Sequence, residues 1–285
     1  MRLLRFTAAD GPRLGILNPQ QQVHDLTALA PALRDAADWL ALPAAERDAL
    51  ARRAAQSPAR DLASLPLLMP LARPGKLVCL GLNYHDHAAE GGHKAPEYPA
   101  FFLRATTSLL APGAPLVRPR CSDKLDYEAE LAVVIGRTAR HRSLDDALEC
   151  VGGYSIFNDG SLRDYQRRSS QWTIGKNFDA TGPLGPWLVT PDELPPGAAG
   201  LRIQSRLNDH VMQDANTSLM ITSVAQAIEL LSECMTLEIG DVIAMGTPAG
   251  VGYARKPPVF MRAGDTIEIE IEGIGILSNP IEDEA

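Results

Sequence analysis

The stretch Asp126-Tyr127-Glu128-Ala129-Glu130-Leu131-Ala132-Val133-Val134-Ile135 carries the most structural information in the chain. Its β-branched tail predicts a strand over residues 127–135, and in a strand side chains two apart share a face. Glu128 and Glu130 then point the same way as Ala132 and Val134, while Tyr127, Ala129, Leu131, Val133 and Ile135 take the other side. Both sides are apolar beyond Glu130, so the strand runs through a core and carries two carboxylates at its mouth. Like charges roughly 7 Å apart are unfavourable there unless a cation neutralises them. Oxygen donors suit a hard ion such as Mg²⁺, Mn²⁺ or Ca²⁺ rather than Zn²⁺. Two solvated glutamates at the strand mouth are the plainer alternative.

Outward from this stretch, alternation or β-branched content predicts strands at 77–80, 116–117, 152–158, 187–189, 202–207, 242–245 and 266–276. Helices are expected near 144–150 and 223–232. The strands cluster without regularly inserted helices, so a Rossmann-type alternation is not supported. The predicted class is α+β, mainly β. Residues 1–70 differ in texture. Segments 3–6 and 14–17 form a hairpin around Asp10-Gly11-Pro12, and an Ala-rich stretch broken by Pro31, Pro43 and Pro58 reads as short helices. A small accessory domain over 1–70 and a catalytic domain over 71–285 are therefore expected, with Pro66, Pro70 and Pro74 marking the junction.

Composition narrows the function. The 285 residues contain 27 Lys plus Arg and 35 Asp plus Glu, a formal charge of −8. Without a general cation excess the chain is a poor partner for nucleic acid. No apolar run approaches a membrane span and no secretory leader is legible, so neither a membrane partner nor export is expected. The 4 cysteines are far apart and form no CxxC, which suits reduced thiols in the cytoplasm.

Three further stretches bear chemistry. Asp159 follows the expected strand 152–158 and could add a third carboxylate, or cap a turn. Arg163 and Gln166 share a side if a helical turn begins there, and a cation with an amide is suited to holding a carboxylate and a carbonyl. In Gly81-Leu82-Asn83-Tyr84-His85-Asp86-His87-Ala88-Ala89-Glu90-Gly91-Gly92, Asn83 is expected to cap a short helix ending at the glycines. His87 and Glu90 are then one turn apart, so the carboxylate can orient the imidazole as a general base. A surface ion pair is the plainer reading. His85 and His93 hint at zinc, but His85 and His87 would diverge on a helix. Lys176 sits in a turn-rich loop suited to stabilising an anion. The 246–252 segment lacks a P-loop ending, so Thr247 either touches substrate or belongs to a tight turn. The alternation Ile267-Glu268-Ile269-Glu270-Ile271-Glu272 reads as a half-exposed strand with its glutamates to water.

Together these stretches resemble the fumarylacetoacetate hydrolase superfamily, in its bacterial acylpyruvase and 2-hydroxyhepta-2,4-diene-1,7-dioate isomerase-like branch. The resemblance runs from about residue 76 to the end. It rests on Gly81, Asn83, Tyr84, His87 and Glu90, on Asp126, Tyr127, Glu128 and Glu130, and on segments 158–166, 175–179, 246–252 and 257–260. It implies a mixed β-roll catalytic fold, a small N-terminal α/β domain, a homodimer, and one Mg²⁺ or Mn²⁺ on Glu128, Glu130 and Asp159. The catalytic pair falls on His87 and Glu90 with Lys176 stabilising charge, and the substrate contacts fall on Arg163, Gln166 and Thr247. The implied activity is hydrolysis of the carbon–carbon bond of a 2,4-dioxo acid, an acylpyruvate or a fumarylpyruvate-like compound, releasing pyruvate in aromatic or sugar-acid catabolism. Isomerisation or decarboxylation of 2-hydroxymuconate-type or oxaloacetate-type acids is the alternative.

Overall fold

The two faces of the Ala129–Ile135 strand enter two different cores. Leu131, Val133 and Ile135 pack with Ile203, Ile269, Ile271 and Leu277. Ala132 and Val134 pack instead with Leu3, Leu14, Trp39, Leu40 and Leu188. Both sides of the strand are buried, as its sequence predicts. In the computed structural model, which describes residues 1–92, 94 and 96–285, this strand lies inside a 12-stranded sheet. It pairs antiparallel with Val151–Asn158 on one side and Val242–Ala244 on the other. The latter strand runs parallel to Leu77–Gly81, which makes the sheet mixed.

A 5-stranded sheet covers one face through Ile203, Ile269, Ile271 and Leu277. The helix Val224–Cys234 covers the same side with Val224, Ala227, Ile228 and Leu231. It starts at Ser223, whose hydroxyl and Gln226 form a reciprocal capping box, in line with the expected helix over 223–232. The opposite face is closed by the short helices Ala36–Leu40 and Ala44–Ala54. The chain is thus α+β and mainly β.

The N-terminal hairpin pairs Arg2–Ala8 with Gly11–Leu17, and Arg2–Ala8 also joins Gly182–Val189 of the large sheet. Sheet and core therefore run straight across the sequence boundary near residue 70, and residues 1–70 extend the main sheet. Pairing with a strand far along the chain leaves no local pattern to read.

Three local expectations are corrected. The segment 144–150 contains only the single 3₁₀ turn Ala147–Cys150. The stretch 266–276 is a hairpin of Thr266–Ile271 and Gly275–Asp283, because Gly273 and Gly275 adopt left-handed backbone. The expected strand 127–135 starts only at Ala129. The backbone N–H of Tyr127 donates to Asp126 Oδ1 and that of Glu128 to Asn158 Oδ1, so neither enters the ladder. Leu125–Asp126 pairs separately with Ser161–Leu162.

Candidate active site

Antiparallel register brings the carboxylates together. Ala129 faces Asn158, so one step further Glu128 meets Asp159, whose N–H donates to the Glu128 carbonyl at 3.0 Å. Glu128, Glu130 and Asp159 are all buried, and one oxygen of each lies within 4.8 Å of the others. Among the described residues this is the one cluster able to hold a metal ion. His85 is exposed and His87 buried, so they diverge as a helix requires, and His93 lies outside the described residues.

Cations ring the cluster. Lys176 Nζ donates to Glu128 Oε2 at 2.7 Å and to Asp159 Oδ2 at 2.5 Å. Arg163 places Nη2 2.6 Å from Glu128 Oε1 and donates through Nε to Asp126 Oδ2 at 2.8 Å. Arg104 donates to Asp159 Oδ1 at 2.5 Å. Among the described residues Glu130 has no such partner and accepts only the Gly246 N–H, at 2.9 Å. Gly246 adopts φ +83°, and a Cβ there would lie 2.7 Å from Asn83 Cβ, so only glycine allows this approach.

Proton affinities follow from these partners. Burial pushes the Glu130 carboxyl well above the usual range, and the nearby Asp159 and Glu128 add to the rise. Burial acts the same way on Glu128, but Lys176 and Arg163 outweigh it and hold that carboxyl below its ordinary value. Burial opposes the charge on Lys176, and Asp159 with Glu128 overcomes it, so the amine is held more basic than usual. The donor set fits a hard divalent cation: three convergent carboxylates, of which Glu130 lacks any positive partner among the described residues.

His87, Glu128, Glu130, Asp159, Arg163, Gln166, Lys176 and Thr247 all line one cavity of about 490 Å³. Glu90 stands behind His87, with Oε1 2.8 Å from Nδ1, and its Oε2 accepts the Gly250 N–H at 2.9 Å. That pairing places the proton on Nδ1 and leaves Nε2 as the basic nitrogen. Both residues belong to the helix His85–Glu90, which ends at Gly91 and Gly92 as expected. Asn83 is not its cap. Its side chain spans outward instead, donating to the Thr222 and Met245 carbonyls and accepting the Thr222 N–H, so it fastens the segment before the helix to Thr222 and to Met245 at the end of the neighbouring strand. Arg163 and Gln166 share the helical turn Arg163–Gln166, and Arg163 Nη1 donates to Gln166 Oε1 at 3.0 Å. Lys176 closes the short helix Thr173–Lys176 rather than an open loop.

Asp126 belongs to the block that carries the resemblance but has no role assigned by sequence; it is fully buried and accepts from Arg163 and from the Gly252 and Tyr253 N–H groups. Three further contributors carry no sequence signal as site residues. Arg104 sends its remaining donors to Ser108, Gly160 and Thr181. Gln213 reaches Thr247 from the neighbouring sheet. Trp172 packs edge-on to Phe102 at the cavity wall.

Comparison with known proteins agrees with this architecture. Residues 76–282 match the family model "Fumarylacetoacetate (FAA) hydrolase C-terminal". A Burkholderia ambifaria protein carrying the provisional name of a hydrolase is 42% identical over 285 residues, covering 96% of each chain. The mitochondrial oxaloacetate tautomerase FAHD2A of Bos taurus is 38% identical over 288 residues, covering 99% of this chain and 91% of its own. The solved structure of maleylpyruvate hydrolase from Sphingobium sp. SYK-6, in complex with manganese(II) and pyruvate, superposes with a TM-score of 0.84 at 30% identity over 100% of both chains.

Proposed function

Because the chain belongs to the fumarylacetoacetate hydrolase family, we propose that it is a divalent-metal-dependent hydrolase of 2,4-dioxo acids that releases pyruvate. The observation that carries this reading is the entry of His87, held from behind by Glu90, into the same cavity as the three convergent carboxylates. Glu128, Glu130 and Asp159 would hold Mg²⁺ or Mn²⁺. A hard divalent ion bound there supplies Lewis acidity and positive charge at the head of the cavity. The Sphingobium hydrolase was solved with manganese and pyruvate, which supports this choice of metal and product.

The chain's own groups then divide the work. Gln166 accepts from Arg163 through Oε1, so its amide NH₂ is left to meet the substrate carboxylate. Lys176 spends two of its three N–H donors on Glu128 and Asp159 and keeps one for a developing oxyanion. His87 Nε2 removes a proton from water as the water oxygen bonds to the 4-oxo carbon. The C3–C4 bond breaks, the acyl fragment leaves as a carboxylic acid, and the proton held by His87 returns to C3 to complete pyruvate. Glu90 holds the imidazole and stabilises its charged form.

The relationship to an oxaloacetate tautomerase favours a second reading, in which His87 shuttles a proton between carbon and oxygen without adding water. Incubation with Mg²⁺ or Mn²⁺ and a panel of acylpyruvates, oxaloacetate and hydroxymuconates, with products identified by mass, decides between them. Pyruvate together with a carboxylic acid carrying one solvent oxygen supports hydrolysis. Isomeric products alone replace it with the tautomerase reading.

A further inference from the structure

Gln213 lies in the strand His210–Asn216 with a relative exposure of 1%, and its amide is fully used. Oε1 accepts from the Ala129 N–H at 3.0 Å and the Ser205 hydroxyl at 2.9 Å. Nε2 donates to Thr247 Oγ1 at 2.7 Å and to the Pro248 carbonyl at 2.8 Å. Two of these partners have fixed roles: a backbone N–H only donates and a carbonyl only accepts. Turning the amide over would set donor against donor and acceptor against acceptor, so the orientation is decided by chemistry.

The consequence falls on Thr247. Its oxygen must accept from Gln213, so its single hydrogen goes elsewhere. Among the described residues no acceptor for that hydrogen is found, and Thr247 lines the cavity beside Glu130, Arg163 and Gln166. A free hydroxyl could turn either way, but this one is committed. We infer that Gln213 is a positioning residue that commits the Thr247 hydroxyl to donating a hydrogen bond to an anionic oxygen of the bound 2-oxo acid. Gln213 also grips Ala129, the residue between Glu128 and Glu130, so one amide sets the donor hydroxyl relative to the carboxylate strand. This rests on the proposed function only in taking the ligand to be a 2-oxo acid.

The test measures pyruvate binding to the Mn²⁺-loaded protein by calorimetry, with Mn²⁺ affinity measured separately for each variant. Thr247→Val should weaken pyruvate by about tenfold to a hundredfold, the usual worth of a hydrogen bond to a charged group. Thr247→Ser should restore binding to within a few-fold. Gln213→Glu, nearly the same shape, accepts where the amide donated and so reverses the bond to Thr247. It should weaken pyruvate by about tenfold while Mn²⁺ affinity stays within a few-fold. Adding it to Thr247→Val should cost nothing more, because both remove one donor. Additive losses, or wild-type pyruvate binding in Gln213→Glu, overturn the inference. If Gln213→Glu does not fold, the Thr247 pair still decides, since unchanged pyruvate binding in Thr247→Val overturns it alone. Wild-type protein that binds Mn²⁺ but not pyruvate overturns the 2-oxo acid reading and this inference with it.

Discussion

Two segments of this chain carry the same period-2 pattern of glutamates and meet opposite fates. Glu128-Ala129-Glu130 leads into a strand at the head of the cavity, and Glu268-Ile269-Glu270 runs along the 5-stranded sheet. In the second, Ile267, Ile269 and Ile271 are buried while Glu268 and Glu270 stay half-buried, paired with Arg206 at 3.2 and 2.6 Å. In the first, both carboxylates are buried; Glu128 is answered by the buried cations Arg163 and Lys176, and Glu130 by none among the described residues. The alternation decides only that the two glutamates share a face. Whether that face meets water depends on what packs over it, and at the cavity it is helices and loops from residues 85–90, 163–176 and 246–252. A buried carboxylate is costly unless matched, so the first cluster is sensitive to single atoms and the second is tolerant.

That contrast can be broken by substitution. Glu130→Gln should produce the largest loss, abolishing metal-dependent turnover and any rise in thermal midpoint with Mn²⁺. The loss should exceed the roughly 10- to 100-fold that removing an outer-shell partner costs. Glu270→Gln should leave both readouts unchanged, and equal responses from the two variants would erase the distinction. Next comes His87→Ala, expected to lower kcat by about 10²–10⁴-fold with KM within several-fold, since a general base acts mainly in the transition state. Near-wild-type turnover would return His87 to an ordinary helix histidine.

Removing one buried cation tests the matching itself. Arg104→Met leaves Asp159 with only Lys176, which Glu128 also claims, and should cost about 3 kcal/mol in urea unfolding of the metal-free protein. Arg206→Met, on the exposed ladder, should cost about 1 kcal/mol or less. A similar penalty at both sites would mean that burial does not set the cost of an unmatched carboxylate in this protein.

The smallest effect is one of pH. The Glu130 carboxyl is raised in the folded chain by burial and by its acidic neighbours. Its contribution to stability is therefore fully present below the unfolded value of about 4.3 and is lost as pH climbs through the folded value. Divalent ions bind the ionised form, so the rise in melting temperature caused by Mn²⁺ should grow from pH 5.5 to pH 8. An identical rise at both pH values would show that Glu130 is not a ligand. Glu128 has the opposite sign: held low by Lys176 and Arg163 against its burial, it stabilises above its unfolded value and is lost only on strong acidification.

Much of the site was legible because the chemistry is written in short blocks. The pair His87 and Glu90 needs only a helical turn, and so do Arg163 and Gln166. Glu128 and Glu130 need only a shared face. What stayed hidden are partners brought from a distance. Arg104 lies 55 residues from Asp159 at the end of an ordinary half-buried strand, and nothing around it marks a buried cation. Gln213 looks like one more polar residue on an edge strand until the 246–252 loop is folded onto it. Asn83 fits a helix cap by local rules, yet tertiary acceptors at Thr222 and Met245 claim its side chain.

By itself the sequence determined the mainly β class, a buried strand ending at Ile135, the half-exposed glutamate ladder and the acids, base and cations Glu128, Glu130, Asp159, His87, Arg163 and Lys176 that line the cavity. These follow from periodicity and from spacings of two to four residues, which backbone geometry converts directly into shared faces. The tertiary structure alone decided that the N-terminal hairpin joins the main sheet and that Arg104 and Gln213 belong to the site. It also left Glu130 without a positive partner among the described residues. Those outcomes depend on register and packing between segments far apart in the chain, where the burial of one group is set by residues that no local pattern names.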